Sequence, residues 1–223
     1  MKKGGLLSAS LVCANPLRID DDVDELIKGK VDMIHFDVMD GHFVTRYGLF
    51  PEILSALKKK CNIPVDVHMM VENPEDYIST FKEAGADYYN VHVEGCSQLH
   101  RCIKKIQNAG MRPGVALNPA TPINSLEWII NDIQMVVLMA INPGIVGHKL
   151  IPNMIDKISA LRKYSSEKGN SELLIEIDGG VTFESASMML KAGADVLVCG
   201  TGTIFRPHED SISNKISSLR SIL

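Results

Sequence analysis

Short apolar, β-branched runs alternate with longer amphipathic stretches from one end of this chain to the other, and few folds tolerate that rhythm. Eight of the runs read as strands, at residues 6–12, 33–38, 65–70, 88–93, 112–117, 135–141, 174–178 and 196–199. Each is followed by a helix-like stretch, such as 51–60, 74–84, 98–109, 153–168, 183–192 and 211–223. The phrase Ala-Gly-Ala-Asp occurs at residues 84–87 and again at 192–195, setting a Gly just past a helix end and an Asp at a strand entry. Eight such units without a composition break predict an α/β chain folded as a single-domain (β/α)8 TIM barrel over residues 1–223. An open doubly wound sheet would show a phosphate fingerprint after its first strand, whereas this strand runs into Val12-Cys13-Ala14-Asn15-Pro16.

In such a barrel the reactive groups sit at the C-terminal ends of strands, and side chains two apart on a strand share a face. The second strand therefore sends His35, Asp37 and Met39 to one side and packs Ile34, Phe36 and Val38 on the other. The third repeats the arrangement with Asp66, His68 and Met70, and the seventh ends in Asp178 followed by Gly179 and Gly180. Buried His and Asp need partners. Two imidazoles and two carboxylates meeting in one mouth suit one divalent ion per chain, Zn²⁺, Fe²⁺, Mn²⁺ or Co²⁺. Phosphate sites in these barrels form after strands seven and eight, where Asp178-Gly179-Gly180-Val181 and Gly200-Thr201-Gly202-Thr203 lie, the latter leading into Ile204 and Phe205 as a short helical turn. A third loop, Asn142-Pro143-Gly144-Ile145-Val146-Gly147-His148, is long enough to close over a ligand.

A formal net charge of −4 gives no reason to expect a nucleic-acid partner, and no apolar run is long enough for a membrane span or a signal core, so a cytoplasmic setting is expected. Five cysteines without a CxxC pair predict free thiols, with neither a disulfide framework nor a thiolate zinc site.

The blocks His35-Phe36-Asp37-Val38-Met39-Asp40-Gly41-His42-Phe43, Asp66-Val67-His68-Met69-Met70, Leu117-Asn118-Pro119, Asn142-Pro143-Gly144 and Glu176-Ile177-Asp178-Gly179-Gly180-Val181 resemble the ribulose-phosphate 3-epimerase family over nearly the whole chain. The resemblance implies that His35, Asp37, His68 and Asp178 bind the metal and that Asp37 and Asp178 are the acid/base pair. Proton exchange at carbon 3 of a ketose phosphate, through an enediolate, would interconvert D-ribulose 5-phosphate and D-xylulose 5-phosphate. It further implies substrate contacts from Ser10, His68, Gly144, Ile145, Val146, Gly147, Gly179, Gly180, Gly200 and Thr201. Met39, Met70 and Met139 would form a soft apolar wall, and the chain would work as a homo-oligomer, dimer or hexamer.

The chain departs from the commonest family pattern at Cys13-Ala14-Asn15, Thr45-Arg46-Tyr47, Ala120 and Ile145-Val146-Gly147-His148. Its Ser10-Leu11-Val12-Cys13 and Gly200-Thr201-Gly202-Thr203-Ile204-Phe205 are similar to the related allulose-6-phosphate 3-epimerases, so a hexulose phosphate is the alternative substrate. The third strand lacks the Lys of the Asp-x-Lys-x-x-Asp found in the phosphate-binding barrel decarboxylases, which argues against decarboxylation. A non-catalytic sugar-phosphate binding barrel is the remaining alternative of another class.

Overall fold

The computed structural model describes residues 5–144, 147, 149–207 and 210–223. Eight parallel strands close in chain order into a barrel: β1 (Leu6–Ser10), β2 (Met33–Met39), β3 (Val65–Met70), β4 (Tyr88–His92), β5 (Arg112–Leu117), β6 (Met135–Met139), β7 (Leu174–Asp178) and β8 (Val196–Cys199), which pairs back onto β1. Around them run α1 (Ile19–Lys28), α2 (Pro51–Lys60), α3 (Ile78–Ala84), α4 (Leu99–Asn108), α5 (Met154–Glu167), α6 (Ala186–Lys191) and α7 (Ile212–Arg220).

Two expectations are corrected locally. The first strand stops at Ser10, because Leu11–Cys13 tighten into a 3₁₀ turn closed by the Ala14 N–H on the Leu11 carbonyl at 3.0 Å. The fifth connection carries no α-helix among the described residues, only a 3₁₀ turn at Ile123–Leu126. Pro119 and Pro122 remove backbone donors there, and the Ser125 hydroxyl turns back onto the Pro122 carbonyl at 2.7 Å.

Alternation along each strand divides the core into two layers. Ile34, Phe36, Val67, Met69 and Tyr89 point outward into one continuous cluster beneath the helices. Full burial of a side chain such as Phe36 contributes about 1.5–3 kcal/mol. Inside the barrel, Met33, Tyr88, Met135 and Val196 form a separate apolar plug, which raises the polar interior residues toward the mouth.

The strand-entry aspartates seal the opposite end. Asp87 Oδ2 accepts the Val65 N–H at 2.8 Å and pairs with Lys58 at 2.9 Å. Asp195 Oδ2 accepts the Ile175 N–H at 2.8 Å and pairs with Arg162. Asp32, at the start of a strand without the repeated phrase, does the same with the Leu7 N–H at 2.9 Å and Arg220 at 2.7 Å. In both repeats the preceding Gly takes the left-handed conformation of a helix C-terminus, φ 103° at Gly85 and 114° at Gly193.

Candidate active site

Register builds the site. Parallel pairing of β2 with β3 sets His35 beside Asp66, Asp37 beside His68, and Met39 beside Met70. On the far side of the mouth, pairing of β6 with β7 sets Met139 beside Asp178. The inward faces of β2, β3 and β7 then bring four ligand atoms together, with His35, Asp37, His68 and Asp178 all within 4.8 Å of one another. His35 Nε2 lies 3.2 Å from His68 Nδ1, 3.2 Å from Asp37 Oδ1 and 3.7 Å from Asp178 Oδ2. His68 Nδ1 lies 3.4 Å from Asp37 Oδ1 and 3.5 Å from Asp178 Oδ2.

These separations fit a single ion. Ligand bonds of about 2.0–2.2 Å in tetrahedral geometry give ligand–ligand edges of about 3.3–3.6 Å, close to the 3.2–3.7 Å of these pairs. The donor set is two nitrogens and two oxygens, suited to a first-row divalent ion, and the structure does not distinguish among such ions. The same need for positive charge shows in the titration behaviour. Burial pushes His35 down, but Asp66, Asp37 and Glu176 outweigh it and raise its pKa well above the ordinary imidazole range. His68 is also raised against its burial, by Asp178 and Asp37. Burial pushes Asp37 up, yet His35 and His68 hold its carboxyl far below the ordinary range.

Beneath these four side chains lies a second polar layer of Asp66, Glu176, His92 and Glu94. Asp66 Oδ1 takes His35 Nδ1 at 2.5 Å, while its Oδ2 accepts the Ser8 hydroxyl at 2.9 Å. Glu176 is wholly buried 3.6 Å from His35 Nδ1, and burial together with the Asp66 charge pushes its pKa up to about 8. On the other flank, His68 Nε2 meets His92 Nε2 at 2.8 Å, and His92 Nδ1 meets Glu94 at 3.1 Å. Burial lowers His92 to about 4, while Glu94 is drawn down to about 2 against its own burial by His92, Thr121 and the Asn118 N–H. The signal for these residues was present, since Glu176 is two before Asp178 and His92 closes a strand that carries Asn90 on the same face.

Asp37 and Asp178 line the floor of a cavity of about 490 Å³, within the range of small-ligand pockets. Ser10 borders it and donates to Asp37 Oδ2 at 2.9 Å. Met39, Met70 and Met139 form apolar wall, and Gly144, Gly147, Gly179, Gly180, Gly200 and Thr201 border it as well. His35 and His68 are wholly buried and do not line the cavity, so His68, expected to touch substrate, stands behind Asp37 and Asp178 instead. Ile145, Val146 and His148, the altered positions of the third loop, lie outside the described residues.

The glycines at one end are held to backbone spacing. Gly180 has φ 67°, and a Cβ there would stand 2.8 Å from the Leu150 Cα; Gly179 has φ 93° and a Cβ would strike Ile141 at 2.3 Å. After β8 the Thr203 and Phe205 N–H groups both donate to the Gly200 carbonyl at 3.1 Å, closing a hydrogen-bonded turn where a single helical turn is expected. Arg46 and Lys149 also line the cavity, and neither was foreseen as a site residue. Arg46 is fixed by the return of the β2 loop, where the Gly41 N–H reaches its carbonyl at 3.1 Å and Asp40 bridges to Tyr47.

Fold and mouth together define a (β/α)8 barrel with a cavity whose floor sets carboxylates beside buried imidazoles. The profile of the Ribulose-phosphate 3 epimerase family matches residues 6–205. The chain belongs to that family, and with it to the isomerases acting on carbohydrates. It is 42% identical over 195 residues to a ribulose-phosphate 3-epimerase of Bacillus subtilis (strain 168), covering 87% of this chain and 90% of that one. It is 37% identical over 214 residues to a ribulose-phosphate 3-epimerase of Methanocaldococcus jannaschii, covering 96% of this chain and 89% of the other. Among solved structures, the 3-hexulose-6-phosphate synthase from Salmonella typhimurium superimposes with a TM-score of 0.72 at 17% identity over 98% of both chains, a likeness of fold alone. No helix among the described residues is long and apolar enough to cross a membrane.

Proposed function

We propose that this chain, residues 1–223 acting as one catalytic domain, interconverts D-ribulose 5-phosphate and D-xylulose 5-phosphate by moving the proton on carbon 3. The observation that carries this reading is a pair of carboxylates, Asp37 and Asp178, on β2 and β7 of one cavity floor. Inverting a carbon by proton exchange needs a base on one face of the planar intermediate and an acid on the other. Two carboxylates from separate strands meet that requirement without either having to travel. His35, Asp37, His68 and Asp178 would hold the divalent ion, which when bound supplies positive charge where removing a proton beside a ketone leaves negative charge.

The remaining roles fall to the cavity walls. Gly179, Gly180, Gly200 and Thr201 approach the ligand with backbone and a hydroxyl and bind the phosphate, with Gly144 and Gly147 closing from the sixth strand's loop. Met39, Met70 and Met139 exclude water from the reacting carbon without offering it a competing donor. Ser10 holds Asp37 in place through its 2.9 Å hydrogen bond and faces the substrate. The enzyme works as a homo-oligomer in the cytoplasm.

A hexulose phosphate is the second reading, favoured by Cys13, Thr201 and Gly202. These positions belong to the segments similar to allulose-6-phosphate 3-epimerases, and they border the same cavity. The test is exchange of the carbon-3 proton with solvent deuterium by metal-replete protein, run side by side on ribulose 5-phosphate and allulose 6-phosphate. Faster exchange on the pentulose supports the first reading and faster exchange on the hexulose the second. Exchange on neither overturns both.

A further inference from the structure

The mouth is fed from outside the ligand cluster by a line of groups running from β3 through β4 to α5. His68 Nε2 stands 2.8 Å from His92 Nε2, and His92 Nδ1 stands 3.1 Å from Glu94 Oε2. The other oxygen of Glu94 accepts the Asn118 N–H at 3.0 Å and the Thr121 hydroxyl. Lys157 on α5 anchors that loop in turn, donating to the carbonyls of Asn118, Pro119 and Thr121 at 2.9, 3.0 and 2.7 Å. The Leu117-Asn118-Pro119 block, which no part of the proposed chemistry uses, thus ends on Glu94. The Phe43 ring closes the side of His92, with centroids 4.8 Å apart.

We propose that His92 and Glu94 are positioning residues that fix the tautomer of His68, and so leave its Nδ1 lone pair aimed at the metal position. The argument is one of proton polarity. A carboxylate end-group only accepts, so His92 presents Nδ1–H to Glu94. A neutral imidazole with hydrogen on Nδ1 has an acceptor at Nε2, and His68 must therefore donate from its own Nε2. The hydrogen being on Nε2, His68 Nδ1 carries the lone pair, and this is the atom 3.2 Å from His35 Nε2 and 3.4 Å from Asp37 Oδ1. His35 is set by the mirror arrangement, Nδ1–H toward Asp66 and Nε2 toward the cluster. Each ligating imidazole is thus locked by a carboxylate, one directly and one through a second imidazole, and the indirect one had no assigned purpose. Outer partners of this kind hold ligands to one orientation and one basicity.

The decisive variant is Glu94→Gln. An amide can donate where the carboxylate could only accept, so the line can reverse: His92 then carries Nε2–H, His68 carries Nδ1–H, and that hydrogen occupies the lone pair meant for the ion. This inference rests on the metal reading above, and the experiment separates the two. Zinc affinity is measured by competition with a chromophoric chelator for the parent, Glu94→Gln, and Thr121→Val, which removes only one donor to Glu94 and keeps the polarity. The His68 tautomer is read from long-range ¹H–¹⁵N correlations of the zinc protein. The expected result is zinc binding weakened about 10- to 100-fold in Glu94→Gln, a smaller loss in Thr121→Val, and the Nε2–H tautomer of His68 in the parent. A parent that binds zinc while Glu94→Gln binds it equally overturns the positioning role alone, and a zinc-bound parent whose His68 carries Nδ1–H overturns both that role and ligation through His68. A parent that binds no zinc overturns the metal reading and this inference with it. If Glu94→Gln does not fold, the parent tautomer and the Thr121→Val affinity decide the matter.

Discussion

Aspartates guard both ends of this barrel, and they are neutralised in opposite ways. At the strand-entry end, Asp32, Asp87 and Asp195 each accept a backbone N–H from the neighbouring strand and each face an Arg or Lys held by the fold. Their charges are met permanently, so they can do no more than tie strands together. At the mouth, Asp37 and Asp178 face imidazoles, and no Arg or Lys pairs with either among the described residues. An imidazole can give up its proton to make room for an ion, which a guanidinium does not. The same side chain is therefore a fastener where its countercharge is fixed and, in the proposed function, a reagent where its countercharge can be exchanged.

The sharpest way to break this comparison is to remove the charge at the mouth. Asp37→Asn and Asp178→Asn should each lower carbon-3 exchange by about 100- to 10,000-fold, the worth of a positioned acid or base, with the circular dichroism spectrum retained. A variant with near-parental exchange returns that aspartate to a structural role. Stripping the ion with a strong chelator should stop exchange and lower the thermal midpoint, with both restored by adding back Zn²⁺, Mn²⁺ or Co²⁺. An ion present at about a hundred times its dissociation constant adds about 2.7 kcal/mol to stability. At the other end, Asp195→Ala should cost about 1–3 kcal/mol in urea unfolding by leaving the Ile175 N–H without its carboxylate. The rate per folded molecule should stay near parental, and a large fall in rate with unchanged stability would erase the distinction between the ends.

The smallest effect concerns a carboxylate of the outer ring. Glu25 accepts the Ser213 hydroxyl at 2.6 Å and its N–H at 3.2 Å, tying α1 to α7, and these bonds with Lys28 lower its pKa to about 2. A carboxyl held lower in the folded than in the unfolded chain stabilises above the unfolded value, near 4.5, and that stability is lost as pH falls from there toward 2. Glu25→Gln should flatten the stability profile across that acid window by lowering stability at neutral pH, where the carboxylate's contribution is complete, and change little near pH 2. An unchanged slope would show the bond to be energetically idle.

Most of the barrel was legible because its rhythm is set locally. A strand buried on both faces must be short and apolar, and a helix covering it must be amphipathic, so strands three, five, seven and eight and the helix at residues 51–60 fell within their expected limits. The fifth connection was not legible in this way, since two prolines and a serine cancel a helical pattern that hydrophobicity alone suggests. At the site, His35, Asp37, His68 and Asp178 were readable from alternation and family blocks. Asp66 and Glu176 differ because their meaning comes from depth: one step down the same strand face they meet Nδ1 of His35, on the side of the ring away from Asp37 and Asp178. His92 and Glu94 needed the β3–β4 pairing before their line to His68 could be seen, and Arg46 depended on a loop folding back over the end of its own strand.

The two carboxylates on the cavity floor are not equally open, with 7% of the Asp37 side chain exposed and 16% of Asp178. In isotopic terms the proposed exchange is lopsided. A proton resting on Asp178 meets solvent sooner than one resting on Asp37, so in heavy water the epimer that receives its hydrogen from Asp178 should carry deuterium from the first turnovers. The epimer protonated by Asp37 should lag behind, and mass spectrometry of each product early in the reaction would register the burial of one oxygen atom as a difference in mass.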